Sequence, residues 1–238
     1  MNASYVIIVP TYQERNNLPE FLNKIQSVLP QAHLLIVDDA SGDGTPEWIR
    51  SQLQYNQSLF LLERPEKKGL GSAYLAGFQW AIDRKYDSLV QMDADLSHNP
   101  MAVPLFLEKL NHSVDLVLGS RYREGVRVLN WPISRLLLSL GAAAYVQLLT
   151  RMPFSDPTSG YKAIRIEALK KIDLSQIQTN GYGFQIEITY HFWRKNMKIL
   201  EIPIVFEGRH AGESKMSSKI AREAFWLVIQ LFFKSLKK

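Results

Sequence analysis

Cysteine is absent from the 238 residues, which excludes disulfides, thiolate metal centres and a cysteine nucleophile. Any metal must then be held by oxygen or nitrogen ligands. Glycine-rich phosphate signatures are missing as well. No GxGxxG follows the first apolar run, Gly69-Leu70-Gly71 is a fragment placed after the third, and GxxxxGK[ST], GxSxG and HExxH do not occur. Dinucleotide oxidoreductases, P-loop kinases and the common hydrolases therefore have no support. No basic stretch precedes the first apolar run, which is far shorter than a signal-peptide core, so secretion is not expected. The longest apolar tracts, 136–149 and 225–233, fall short of the ~20 residues that span a bilayer. They predict a soluble or peripheral protein.

What is present is the balance of an ordinary folded domain, with 46% apolar and 21% charged residues, 13 Gly and 11 Pro. The length suits one large α/β domain near the upper limit for a single core. Charge is unevenly spread. Residues 1–114 carry 9 Lys and Arg against 13 Asp and Glu, a balance of −4, whereas 115–238 carry 19 against 10, a balance of +9. A cation-binding first half and an anion-binding second half suit chemistry on phosphates, although a basic surface facing anionic lipid or nucleic acid gives the same sum. Nucleic acid is the weaker reading, because acidic strand ends would repel its phosphates.

The first 120 residues alternate short β-branched runs with amphipathic stretches, the pattern of a mostly parallel sheet covered by helices. Strands are predicted at 5–9, 34–37, 59–62, 89–92 and 116–118, with helices at 18–28, 46–54, 71–84 and 101–110. Thereafter come a helical tract at 131–150, a Pro/Ser/Gly loop at 153–160, a second helical tract near 183–195, a strand at 199–206 and an amphipathic tail. No internal repeat or linker interrupts them. The expected division is one domain over 1–218, with a donor and metal half at 1–120 and an acceptor half at 121–218, followed by a C-terminal helix at 219–238.

In open parallel sheets ligands bind beyond the carboxyl ends of the strands. Those positions read Pro10-Thr11-Tyr12-Gln13-Glu14, Asp38-Asp39, Asp93-Ala94-Asp95 and Ser120-Arg121. Asp93 and Asp95, two apart after an apolar run, can share a hard cation such as Mg²⁺ or Mn²⁺, whose shell is completed by water and substrate phosphate. A turn with a helix N-cap reads the same letters, since Pro100 can open the next helix. Asp38 and Asp39 precede SGDGT, where a carboxylate can accept hydrogen bonds from a ribose or base. The calcium-loop alternative fails for want of the acidic spacing and the closing Glu. Asp43 reads as a cap. Arg135 and Ser139 are four apart on a predicted helix and so share a face, and arginine offers planar paired donors to phosphate.

Nine segments in order, IIVPTYQERNNLP, IVDDASGDGT, GLGSAYLAG, QMDADLSHNP, VLGSRY, the 135–139 tract, DPTSGYKA, GYGFQIEI and EIPIVFEGRHAGESKMS, resemble the family-two inverting glycosyltransferases, in particular the dolichyl- or polyprenyl-phosphate mannose synthases. The resemblance covers nearly the whole chain. It implies a single nucleotide-diphospho-sugar transferase domain of the GT-A, Rossmann-like type, with GDP-mannose as donor and a polyprenyl or dolichyl phosphate as acceptor. By motif position Pro10, Tyr12 and Glu14 would contact the guanosine, and Val37, Asp38 and Asp39 its base or ribose. Asp93, Ala94 and Asp95 would hold metal and diphosphate, with Ser97 where some relatives place a metal-ligating Gln. Arg121, Arg135 and Ser139 would bind the lipid phosphate, with Arg121 also reaching the donor. Gln185 and Glu187 would line the sugar pocket, and Arg209 and Lys215 would belong to a basic segment over the diphosphate. Asp95, Arg121 and Arg135 are the expected catalytic residues.

The acceptor monoester has a second pKa near 6, so at neutral pH it is already a nucleophile and needs no protein base, unlike a hydroxyl acceptor. The implied product is a β-linked polyprenyl-phosphate mannose. The helical tract 131–150 and the tail, where Trp226, Phe232 and Phe233 lie among Lys234, Lys237 and Lys238, fit docking on anionic lipid. A peripheral place on the cytoplasmic face of a membrane follows, with a membrane-anchoring subunit as a further partner the pattern allows. UDP-glucose as donor, and a nucleotide-sugar-binding subunit without turnover, are the alternatives.

Overall fold

The runs VIIV at 6–9 and LLIV at 34–37 are apolar at every position, and a strand can hide both faces only inside a sheet covered on both sides. In the computed structural model, which describes residues 4–110, 113–208 and 218–236, they form β1 (Tyr5–Thr11) and β2 (His33–Asp38). These pair in parallel, Ile7 opposite Leu34 and Val9 opposite Ile36. With β3 (Leu59–Glu63), β4 (Ser88–Gln91), β5 (Leu116–Ser120), β6 (Val128–Leu129), β7 (Lys162–Arg165), β8 (Ile199–Pro203) and β9 (Phe206–Glu207) the strands make two sheets. The main sheet runs β3-β2-β1-β4-β7-β5-β8, and β6 pairs with β9 in the other.

Alternation along each strand divides the core. Val6, Ile8, Leu35 and Val37 face one layer, and Ile7, Val9, Leu34 and Ile36 the other. The second layer receives α1 (Leu18–Val28), whose buried Leu18, Phe21, Leu22 and Ile25 follow the i, i+3, i+4, i+7 stripe of a surface helix, with Pro19 in its first turn. α2 (Thr45–Leu53) and α4 (Val103–Lys109) add Ile49, Val103 and Phe106 to that side. The opposite layer is built from α3 (Leu70–Asp83), α5 (Ile133–Thr150), the short α6 (Ile166–Leu169), α7 (Gly183–Arg194) and α8 (Ser218–Leu236).

Two local expectations differ from the structure. The segment predicted as loop leads into β7, which sits mid-sheet and runs antiparallel to both β4 and β5, so that Ala163 faces Val90 on one side and Val117 on the other. Four residues that begin with a lysine and end with an arginine carry no strand pattern. The lysine is buried and Arg165 is ion-paired to Asp115, and both facts depend on tertiary neighbours. The strand predicted at 199–206 is two: Pro203 ends β8 where a proline can leave a ladder, and Phe206 starts β9 beside Val128.

α5 extends the 14-residue apolar tract to 18 residues with mean hydropathy 1.4. By length and composition alone it is therefore long enough to cross a membrane, contrary to the reading from the tract. Its Ala143, Val146 and Thr150 pack inward while Ile133, Leu137, Leu138 and Leu148 are exposed. α8 lies beside it, with Tyr145 stacked on Phe225 at 5.1 Å. Leu227, Val228 and Leu231 of α8 join the core around α7, while Phe225, Trp226 and Phe233 are exposed.

Candidate active site

β1, β2, β4 and β5 bring their carboxyl ends to one edge of the sheet, and β7, running the other way, starts there. The turns after β1, β2 and β4 each pass through a non-glycine residue with left-handed backbone: Gln13 (φ 56°), Ala40 (φ 59°) and Leu96 (φ 62°). Each such residue costs of order 1–3 kcal/mol and persists where surrounding bonds fix it. In the second and third a carboxylate does the fixing. Asp38, fully buried, accepts from Thr11 Oγ1 at 2.9 Å and from Ser41 N and Oγ at 2.9 and 2.7 Å. Asp95 accepts on Oδ1 from Ser97 N (3.1 Å) and Ser97 Oγ (2.6 Å), across Leu96. Asn99 caps the 3₁₀ turn at Pro100–Ala102, so the capping role that competed for the aspartates falls to another residue.

A cavity of about 190 Å³ lies over β1, β2 and β4. Pro10, Tyr12, Glu14 and Asp39 line it on one side, Asp93, Ala94 and Asp95 at its inner end. Asp39 is locked by an ion pair to Arg64 at 2.7 Å and by the Lys68 and Gly69 amides at 2.8–3.1 Å. Lys67 reaches over the cavity with its ammonium 3.5 Å from the centre of the Tyr12 ring, a cation–π contact. The far wall is the 180–182 loop. It is pressed so closely onto α3 that a Cβ at Gly71 would stand 2.2 Å from the Thr179 carbonyl oxygen. Glu187 holds this loop from beneath, accepting from Thr179 Oγ1 (2.6 Å) and from the amides of Gln178 and Thr179.

A second cavity, about 230 Å³, meets the first at Leu70, Asp93, Asp95 and Tyr182. Its polar side holds Arg121, Arg135 and Ser139, and its apolar side Leu138 and Ala142 of α5 and Ala224 of α8. Arg121 is pinned by Asp156: Nε to Oδ2 at 2.6 Å, Nη2 to Oδ1 at 2.7 Å, with Thr158 Oγ1 at 2.8 Å. Burial works against both charges, but each partner outweighs it, so the Asp156 carboxyl titrates below its usual range and the Arg121 guanidinium above its own. Arg135 lies 4.0 Å over the Trp131 ring, and the Tyr122 hydroxyl donates to Ser139 Oγ at 2.6 Å. Two arginines with fixed forks and a serine thus share one chamber with two aspartates.

His98 lies between the cavities' shared floor and the core. Burial drives its pKa down, and its Nδ1 accepts the Asp93 backbone N–H at 3.1 Å, so the neutral ring carries its proton on Nε2. It fixes the backbone of Asp93 and stacks on Tyr161 at 4.7 Å.

The structure gathers Pro10, Tyr12, Glu14, Asp39, Asp93, Ala94 and Asp95 around the first cavity, and Arg121, Arg135, Ser139, Ser97 and Gln185 around the second. Val37 lies in the core, Asp38 has both carboxylate oxygens bonded within the turn, and Glu187 supports the 178–179 backbone; none of the three lines either cavity. Arg209 and Lys215 lie outside the described residues. Ser97 Oγ is turned to Asp95 as a donor. Sequence reasoning passed over Lys67, Tyr182 and Asp156. Asp156 had a signal, since it opens the quoted DPTSG segment, but its partner 35 residues earlier is set only by the fold.

Residues 6–173 match the model of the glycosyl transferase family 2, and the chain belongs to that family. It is 43% identical over 217 residues to an undecaprenyl-phosphate mannosyltransferase of Micrococcus luteus, covering 91% of this chain and 89% of the relative. A polyprenol monophosphomannose synthase of Mycolicibacterium smegmatis is 42% identical over 94% of this chain and 85% of its own length. A dolichol-phosphate mannosyltransferase of Pyrococcus furiosus is 36% identical, with 90% and 59% covered. Among solved structures, glucosyl-3-phosphoglycerate synthase from Mycobacterium tuberculosis, in complex with Mn²⁺, uridine diphosphate and glucosyl-3-phosphoglycerate, superposes with a TM-score of 0.71. It is 15% identical and covers 97% of this chain and 80% of that one, so the likeness is one of fold.

Proposed function

We propose that the chain transfers mannose from GDP-mannose to a polyprenyl monophosphate with inversion, giving the β-linked polyprenyl-phosphate mannose and GDP. The observation that carries this reading is the joining of two cavities at Asp93 and Asp95, one lined by aromatic, amide and carboxylate groups fit for a nucleoside, the other by arginines fit for a phosphate. Relatives named for the same acceptor chemistry, at 42–43% identity, support it. Mannose and a guanine nucleotide are the finer part of the proposal.

The donor set at the seam fits a hard divalent cation. Among the described residues no group of three or more His, Cys, Asp or Glu converges, and two carboxylates leave most of the shell of Mg²⁺ or Mn²⁺ to diphosphate oxygens and water. When bound, such an ion supplies Lewis-acid stabilisation of the departing diphosphate. The chain's own residues do the rest. Arg121, held rigid by Asp156, and Arg135, held over Trp131, draw the acceptor phosphate against the acidic floor and offset its charge. Among the described residues the only carboxylates lining the second cavity are Asp93 and Asp95, as suits a nucleophile that arrives already ionised. Turnover of the purified protein on a panel of nucleotide sugars with phosphorylated polyprenol tests the proposal. The expected product has the mass of a hexosyl polyprenyl phosphate formed from GDP-mannose; a product from UDP-glucose alone, or release of free sugar only, contradicts it.

The acceptor's tail has a route. The second cavity is walled by Leu138 and Ala142 of α5 and Ala224 of α8, and the outer faces of the same helices expose Ile133, Leu137, Trp226 and Phe233. Because α5 keeps Arg135 and Ser139 turned into the polar chamber, it lies along the domain with its apolar face outward, the geometry of an interfacial helix. Flotation with anionic liposomes is expected to recover wild-type protein in the lipid fraction and to lose it on Leu137→Asp with Trp226→Asp. Equal flotation of the double variant contradicts docking through this face.

A further inference from the structure

Beneath the second cavity lies a polar cluster that the proposed reaction has not used. Lys162 opens β7 and is completely buried, yet among the described residues its ammonium meets no carboxylate within ion-pair distance. It donates instead to the Ser159 carbonyl and to Gln185 Oε1, the latter at 2.6 Å. A lysine held this way is costly, and burial pulls its pKa down to about 7 although Asp156 and Asp93 oppose the shift. A residue kept at such a cost, next to a substrate chamber, suggests service to the site.

The chemistry of the contact fixes the amide. In its protonated form the lysine only donates, so Gln185 turns Oε1 to it and Nε2 away. That Nε2 is buried and has no hydrogen-bond partner among the described residues. It lies at the wall of the second cavity, 3.4 Å from where a Cβ on Gly160 would stand. An unpaired donor in a dry wall needs an oxygen from outside the protein. Gln185 lines the same cavity as Asp93, Asp95 and Arg121, which is where the glycosyl group lies if the proposed transfer holds.

We infer that Lys162 is a positioning residue that locks the Gln185 amide so that Nε2 donates a hydrogen bond to a hydroxyl or ring oxygen of the transferred sugar. The inference rests on the glycosyl-transfer reading and adds to it a device for recognising the sugar apart from the nucleotide. Lys162 touches no substrate; Gln185 does.

Binding of the nucleotide sugar and of its nucleoside diphosphate separates the two parts. For Lys162→Met the Kd for GDP-mannose is expected to rise about tenfold, the worth of one well-made hydrogen bond, while the Kd for GDP stays within about twofold of wild type. Gln185→Glu keeps an oxygen for Lys162 but removes the donor, so it should fold as wild type and show the same split, which decides the matter if Lys162→Met is unstable. Equal weakening of GDP and GDP-mannose would reduce Lys162 to a packing role. Unchanged GDP-mannose binding, or a loss confined to the KM for polyprenyl phosphate, would overturn the inference while leaving the transfer reading intact. Wild-type protein that binds no nucleotide sugar would end both.

Discussion

Asp95→Ala is expected to lower kcat/KM for transfer by at least ~10²–10³, the usual consequence of removing one group that stabilises developing charge in a closed site. Asp95 is nine-tenths buried and sits where the two cavities meet, so the lost charge is not replaced by solvent. Alanine also removes the acceptor that holds Ser97 across the left-handed Leu96. Asp95→Asn separates the effects, because it retains an Oδ1 for Ser97 and loses only the charge. Both variants are expected to be nearly inactive, and Asp95→Asn to melt within about a degree or two of wild type. Near-normal turnover of Asp95→Asn with saturating divalent metal would remove the aspartate from the reaction.

The largest effect on stability is expected from Asp156→Ala. Its carboxylate is fully buried and accepts from the Arg121 amide and guanidinium together. Deleting one member of a buried pair leaves the other charge uncompensated, at about 3–5 kcal/mol. For a chain of this length each kcal/mol moves Tm by about 2–4 °C, so a fall of roughly 6–20 °C is expected. Arg121 also loses the fork that aims it, so the KM for polyprenyl phosphate should rise in any variant that stays folded.

The pair's pH dependence has a definite sign. Asp156 titrates below its usual 3.8 in the folded chain, so its contribution is complete above that value and is lost as pH falls through the depressed one. The stability gap between wild type and Asp156→Ala should be flat at neutral pH and shrink only below about pH 4. Chemical denaturation at pH 7 and pH 3.5 checks this. A gap that is absent at pH 7, or that widens in acid, would refute the pairing.

Periodicity and strand-end chemistry carried the reading of the first half. The helix expected at 18–28 is α1, residue for residue, because its apolar stripe, entry proline and local contacts are all written within 11 positions. The acidic strand ends were legible for the same reason: parallel strands with two buried faces leave polar residues only where they stop. Less was legible wherever a side chain takes its role from a distant partner. Lys162 carries no local mark of burial in the sequence and is a buried residue of a central strand. Asp38 and Asp39 look equivalent in sequence, yet the fold sends one into a turn bonded to Thr11 and Ser41 and the other to the wall of the first cavity. Lys67 and Tyr12 meet across 55 positions, which no local pattern records. The tail showed its amphipathic character but not which face the domain takes; Leu227, Val228 and Leu231 turn inward and Trp226 and Phe233 outward.

The central claim is that nucleotide diphosphate and lipid phosphate are brought together at Asp93 and Asp95. Anomalous diffraction from crystals soaked with Mn²⁺ and GDP tests it most directly. One manganese peak is expected beside these two carboxylates and the diphosphate, lost in Asp95→Asn. A diphosphate bound away from Asp93 and Asp95, or a manganese peak that survives Asp95→Asn unchanged, would contradict it.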